Sequence, residues 1–260
     1  MNYAEQTIWI TGASSGIGAA LAVAFAAEGA KLVLSGRNEA ALAEVASQCP
    51  GARTIAFDTT DLGALPGIVA DAGPVDILVN NAGISQRSLA LDTDFEVYRR
   101  IMEVDFFAPL RLTQLILPGM VAAKAGRIVM IASIAGKSGS PMRTGYCAAK
   151  HAMIGYADAL RAEIAQYGVA VHVVTPGFVK TGIAVHALEG GGAERGHSDA
   201  AIDAGVSPES AAATILAGMA AGTREILVGD GPEMMLGKLR GSDPDRLFDL
   251  MASMAPVVER

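Results

Sequence analysis

Cysteine is scarce in this chain: Cys49 and Cys147 are the only two among 260 residues. Two thiols cannot build a disulfide framework, and their spacing matches no metal-binding pattern, so a reducing compartment and no metal site are expected. Clusters of lysine and arginine are missing as well. The net charge is −7 and the sequence pI about 5.1, which removes the electrostatic footprint of a nucleic-acid binder. No apolar run approaches the 18 or so residues of a membrane helix. The opening MNYAEQ has no basic segment ahead of an apolar one, so no signal peptide is expected. These absences point to a soluble, cytoplasmic protein.

Hydrophobic residues, in contrast, make up 51% of the chain, enough for one large core, and α/β folds of this length often form a single domain. Seven short apolar runs, TIWIT, KLVLS, RTIAF, VDILVN, GRIVMIAS, VAVHVV and EILVG, alternate with longer Ala-rich or helix-periodic stretches. That alternation predicts a doubly wound, Rossmann-like parallel sheet of about seven strands with helices on both faces, a single domain over 1–260. Ser207, Pro208 and Glu209 mark the start of a helix near 208–222. Two stretches fall outside the pattern. Residues 186–201, HALEGGGAERGHSDAA, are Gly-rich and polar and read as a mobile loop, and 232–260 form a Met- and Leu-rich tail.

Residues 11–18, TGASSGIG, lie between the first strand and the helix AALAVAFAAEG. Glycines at 12, 16 and 18 allow a tight turn that brings backbone N–H groups and a helix N-terminus up to a pyrophosphate. The ribose reader belongs at the end of the second strand, where an acidic side chain takes a 2′-hydroxyl. Here Ser35, Gly36 and Arg37 stand instead. A guanidinium with no carboxylate beside it suits a 2′-phosphate, so NADP(H) is expected over NAD(H).

In YCAAK, Tyr146 and Lys150 are four apart and leave one face of a helix. An ammonium beside a phenol favours the phenolate and equips it to exchange protons. Alone, the pair also fits an ordinary helix surface. Taken with TGASSGIG at the N-terminus, NNAG at 80–83, Ser133 and PG at 176–177, it makes the chain resemble the short-chain dehydrogenase/reductase family over roughly residues 5–230. SIAGKSGSPMRTGYCAAKHAM is most similar to the NADP(H)-dependent, microsomal-type subgroup.

The resemblance implies that Tyr146 is the general acid/base, that Lys150 tunes it and holds the nicotinamide ribose, and that Ser133 binds the substrate oxygen. It further implies a cofactor site built from Thr11, Gly12, Ser14, Ser15, Gly16, Ile17 and Gly18. Asp58 and Thr59 would lie at the adenine, Asn81, Ala82 and Gly83 after the fourth strand, and Pro176, Gly177, Val179 and Thr181 at the nicotinamide end. It implies a homodimer or homotetramer too. One position departs from the pattern: Asp105, in MEVDFFAPL, stands where family members usually carry an asparagine that supports a proton-relay water. An ionised aspartate accepts hydrogen bonds but donates none.

Residues 178–206 occupy the place of the family's substrate loop, and their Phe178, Val179, Ile183, Val185 and Leu188 suggest an apolar carbonyl or alcohol of modest size. In the tail, Leu247, Phe248, Leu250, Met251 and Met254 recur at helical spacing and suggest a lid or a subunit contact rather than peripheral membrane attachment. The expected activity is NADP(H)-dependent interconversion of a carbonyl and a secondary alcohol. A catalytically weak NADP(H)-binding regulator and an isomerase or epimerase on the same fold stay open as alternatives.

Overall fold

The computed structural model describes residues 3–257; the ends of the expected 1–260 domain and of the 232–260 tail lie outside the described residues. In chain order the elements are β1 (Thr7–Thr11), α1 (Gly16–Ala27), β2 (Lys31–Gly36), α2 (Glu39–Ser47), β3 (Arg53–Ala56), α3 (Leu65–Ala72) and β4 (Ile77–Asn80). Then come α4 (Phe95–Met102), α5 (Ala108–Ala123), β5 (Gly126–Ile131), α6 (Thr144–Ile164) and β6 (Val169–Pro176). The chain continues through α7 (Ala200–Asp203), α8 (Pro208–Ala220), β7 (Glu225–Val228), α9 (Met234–Ser242) and α10 (Pro244–Ser253).

All seven strands pair in parallel in the order β3-β2-β1-β4-β5-β6-β7. Because successive side chains of a strand point to opposite faces, one strand feeds two cores. Ile8 and Ile10 of β1 join Leu32, Leu34, Val79 and Val174 beneath α1, α2 and α8. Trp9 of β1 joins Val33, Leu78, Ile128 and Met130 against α3, α5 and α6. A strand covered on both faces needs apolar residues throughout, which is why the central strands appear as unbroken apolar runs.

The strand order reverses between β1 and β4, so the loops leaving their carboxyl ends diverge and open a crevice. The glycine loop follows β1, and Asn81–Gly83 follow β4.

A π-helical turn over Glu103–Phe107 joins α4 to α5 as one continuous helix, Phe95–Ala123, of 29 residues. Its best 18-residue window has a mean hydropathy of 1.4, so by length and composition it is apolar enough to cross a membrane, which no run in the sequence suggested. In the fold, Leu112, Ile116 and Met120 of this helix are buried in the second core.

Candidate active site

A cleft of about 360 Å³ runs along the carboxyl ends of the strands. At one end, Gly12, Ser14, Ser15, Gly16 and Ile17 line it. Gly12 and Gly16 have φ of 63° and 54°, the left-handed region that favours glycine. Thr11 and Gly18 stand behind the loop. Thr11 Oγ1 accepts from Asn81 N at 3.0 Å and Ala82 N at 3.1 Å, and Asn81 Nδ2 donates to Thr11 O at 2.9 Å and Gly12 O at 3.1 Å. The loops after β1 and β4 are thereby locked together. No side chain caps α1 at Ser15, so its first N–H groups remain available to the cleft. An uncapped helix N-terminus beside a glycine turn fits a pyrophosphate.

Arg37, Asp58 and Thr59 line the cleft beyond the glycine loop. Ser35 does not reach it: fully buried, it accepts from Trp9 Nε1 at 2.8 Å. Asp58 accepts from Thr60 N at 2.9 Å and Thr60 Oγ1 at 2.8 Å. Burial raises its carboxyl, but these bonds and the Arg37 and Arg100 cations outweigh that and hold it below the ordinary range. Arg100, which the sequence reading did not single out, lines the same end.

At the other end the cleft is lined by Ser133, Tyr146, Lys150, Pro176 and Gly177, with Val179 and Thr181 following. Ser133 follows β5; its Oγ accepts from Ala135 N at 3.1 Å and donates to Pro176 O at 3.5 Å. Tyr146 and Lys150 project from one face of α6, with Lys150 Nζ 5.7 Å from the centre of the tyrosine ring. Lys150 Nζ donates to Ile131 O at 3.1 Å. The first turn of α6 is held by Gln86, whose Oε1 accepts from Gly145 N at 2.8 Å.

Asp105 sits within the π-helical turn, fully buried, with Oδ1 accepting from Ile84 N at 2.8 Å and Oδ2 3.2 Å from Lys150 Nζ. A π turn inserts one residue into the helix, and such turns concentrate at functional sites. Burial raises the Asp105 carboxyl, and Lys150 and the Ile84 N–H offset only part of that. For Lys150, burial acts to lower the ammonium, but Asp105 and then Tyr146 outweigh it and hold it above the ordinary lysine range. The aspartate thus supplies Lys150 with a fixed counter-charge.

Two features without a local signal in the chain complete this end. Glu233, just before α9, is buried, and its Oε1 accepts from Phe178 N at 3.0 Å. The segment 186–201, expected to be a mobile loop, is tethered: Leu188 N donates to Ser85 O and Arg87 N donates to Leu188 O, both at 2.8 Å, and Asp199 accepts from Arg87 and Arg195.

Comparison with known proteins bears on the family and the fold. A family profile described as short chain dehydrogenase matches residues 6–190. The chain is 39% identical over 265 residues to the Bos taurus protein called dehydrogenase/reductase SDR family member 7B, covering 96% of this chain and 82% of that one. Its fold superposes with a TM-score of 0.83 on a Burkholderia cenocepacia short chain dehydrogenase solved with NADP, at 24% identity, covering 96% of this chain and 99% of that one. It superposes with a TM-score of 0.82 on a Burkholderia phymatum short chain dehydrogenase/reductase solved with NAD, also at 24% identity, covering 100% and 99%. The chain belongs to the short-chain dehydrogenase/reductase family, whose members are oxidoreductases acting between CH–OH and C=O.

Proposed function

We propose that the protein is an NADP(H)-dependent oxidoreductase that interconverts a carbonyl and a secondary alcohol, with Tyr146 as general acid/base. The observation that carries this reading is the convergence of Ser133, Tyr146 and Lys150 on the cleft that the glycine loop also lines. Ser133 holds the substrate oxygen by a hydrogen bond and steadies the charge that develops there. Tyr146 gives its phenolic proton to that oxygen in reduction and takes it back in oxidation. Lys150, kept cationic by Asp105, stabilises the phenolate left behind and is placed for the nicotinamide ribose. A bound nicotinamide supplies the hydride in one direction and takes it in the other.

Preference for NADP(H) over NAD(H) is supported by Arg37 and Arg100 at the far end of the cleft, two cations for a 2′-phosphate. We assign residues 178–206 to the substrate loop, since Phe178, Ile183 and Ile202 line the cleft. The tail helices α9 and α10 are proposed to close the cleft or to meet a second subunit. Of α10, Leu247 and Met251 pack inward while Phe248 and Leu250, and Met254 just after the helix, stay exposed. A homo-oligomer in the cytoplasm is the setting we propose.

The test is NADPH and NADH oxidation over a panel of aldehydes, aliphatic ketones, steroids and diketones, with Tyr146→Phe run in parallel. NADPH consumption by the wild type and silence of the variant, with cofactor still bound, is the expected result. Retained turnover in Tyr146→Phe would remove the tyrosine from the mechanism.

A further inference from the structure

The substrate side of the cleft carries a surplus of positive charge. Asp199 accepts from Arg87 Nε at 2.9 Å, from Arg87 Nη2, and from Arg195 Nη1 at 2.5 Å, while Arg143 Nη2 stands 3.7 Å away. Three guanidinium groups therefore surround one carboxylate. Both of its oxygens are taken by Arg87 and Arg195, and among the described residues Arg143 makes no ion pair other than this distant one. Neither cation is a freely solvated surface group: the side chains of Arg87 and Arg143 are 7% and 21% exposed, and both line the cleft that Tyr146 lines.

The remaining charges do not balance them. Lys150 is matched by Asp105, Glu194 pairs with His186, the one carboxylate of Glu233 accepts from Phe178 N, and Asp58 lies near Arg37 and Arg100 at the other end. Burial first, and then Arg87, pull the Arg143 guanidinium down to about 10, which still leaves it charged at neutral pH.

The backbone holds Arg143 where a cation alone is disfavoured. It immediately precedes the 21-residue α6, and a helix N-terminus attracts anions and opposes cations. Met142 before it adopts φ of 62°, a left-handed conformation that non-glycine residues rarely take, and Ser88 N donates to Met142 O at 3.0 Å. The arrival of an anion relieves the cost of holding that cation at the helix start. Around the same space Ile84, Phe178, Ile183 and Ile202 supply apolar lining.

We propose that the cleft takes carbonyl or alcohol compounds that carry an anionic oxygen group, a carboxylate or a phosphate, on an otherwise apolar body, with the anion held by Arg143 beside the Arg87–Asp199 pair and the reacting carbon at Tyr146. The inference rests on the oxidoreductase reading above and narrows it. The expectation of an apolar substrate accounts for the isoleucines and Phe178 and leaves Arg143 unexplained.

The test compares levulinate, its uncharged methyl ester and the ketoalkyl phosphate of the same chain length as substrates with NADPH, in wild type, Arg143→Gln and Arg143→Lys. The expected result is a kcat/KM at least about tenfold higher for an anionic compound than for the ester. That preference should collapse toward parity in Arg143→Gln and survive in part in Arg143→Lys, and the ranking of the two anions tells carboxylate from phosphate. Equal or faster reduction of the ester by the wild type overturns the anion site and leaves the oxidoreductase reading standing. Where none of the three is reduced, thermal midpoints of the NADP-saturated protein decide. A rise with levulinate or inorganic phosphate, absent with the ester and lost in Arg143→Gln, supports the site, and no rise with either anion overturns it.

Discussion

Lys150 Nζ lies 3.2 Å from Asp105 Oδ2, and the two side chains are 4% and 0% exposed. The lysine beside the reactive tyrosine therefore has a private counter-ion within the protein, supplied by the middle of a π-helical turn. Removing one member of a buried pair leaves the other uncompensated, which costs about 3–5 kcal/mol. Asp105→Ala should lower the chemical-denaturation stability by that order, whereas Asp105→Leu combined with Lys150→Met should recover much of the loss and abolish turnover.

The isosteric change Asp105→Asn reads the same pair through pH. Asp105 raises Lys150 and places negative charge near the phenol. Without it burial lowers the Lys150 ammonium, so the cation that supports the reactive tyrosine is lost at a lower pH. The basic limb of the oxidation profile should move to lower pH in Asp105→Asn. Superimposable rates and profiles would show that position 105 has no part in proton transfer.

Gly18→Ala tests the packing behind the glycine loop. A Cβ there would press on the Gly12 carbonyl oxygen and come within 2.5 Å of Asn81 Nδ2, the group that ties the loops after β1 and β4 together. Overpacking of this kind costs about 1–3 kcal/mol. Dinucleotide affinity, measured by fluorescence titration, should fall together with the thermal midpoint.

Arg37→Ala should lower kcat/KM for NADPH by about ten- to a hundredfold, the worth of a charge-assisted hydrogen bond, and leave that for NADH nearly unchanged. An unaltered NADPH to NADH ratio would clear Arg37 of any role in reading the 2′-phosphate.

His172 gives a stability signature far from the chemistry. It is buried in β6, with Nδ1 2.7 Å from Thr223 O, where it donates. Burial lowers its affinity for a second proton, and the bond to Thr223 only partly offsets that, so its folded value lies below the ordinary value of about 6.5. The unfolded chain then binds more protons, so stability is complete above that ordinary value and is lost as pH falls from it through the folded value. Between pH 7.5 and 5, the wild-type thermal midpoint should fall more steeply than that of His172→Gln.

The parts of this protein that were legible in its sequence are those whose physics is local. Buried parallel strands need continuous apolar runs, so Thr7–Thr11, Lys31–Gly36 and Val169–Pro176 stood out, and the glycine turn and the Tyr146–Lys150 spacing each fit within one or two turns of chain. The π turn did not show, because one inserted residue barely disturbs a hydrophobic pattern. Arg87 and Asp199 are 112 residues apart and Phe178 and Glu233 are 55 apart, so their pairing depends on the fold and on no spacing that sequence alone displays.

Among the described residues Phe178 N–H finds its acceptor in Glu233, which is synthesised well after it. A chain growing from its N-terminus therefore exposes the glycine loop, the tyrosine helix and the start of the substrate segment before the carboxylate that fixes that segment exists. Fixing of the substrate segment is in this way deferred until Glu233 has been made, and a ribosome stalled before it would carry a chain whose Phe178 N–H still lacks that acceptor.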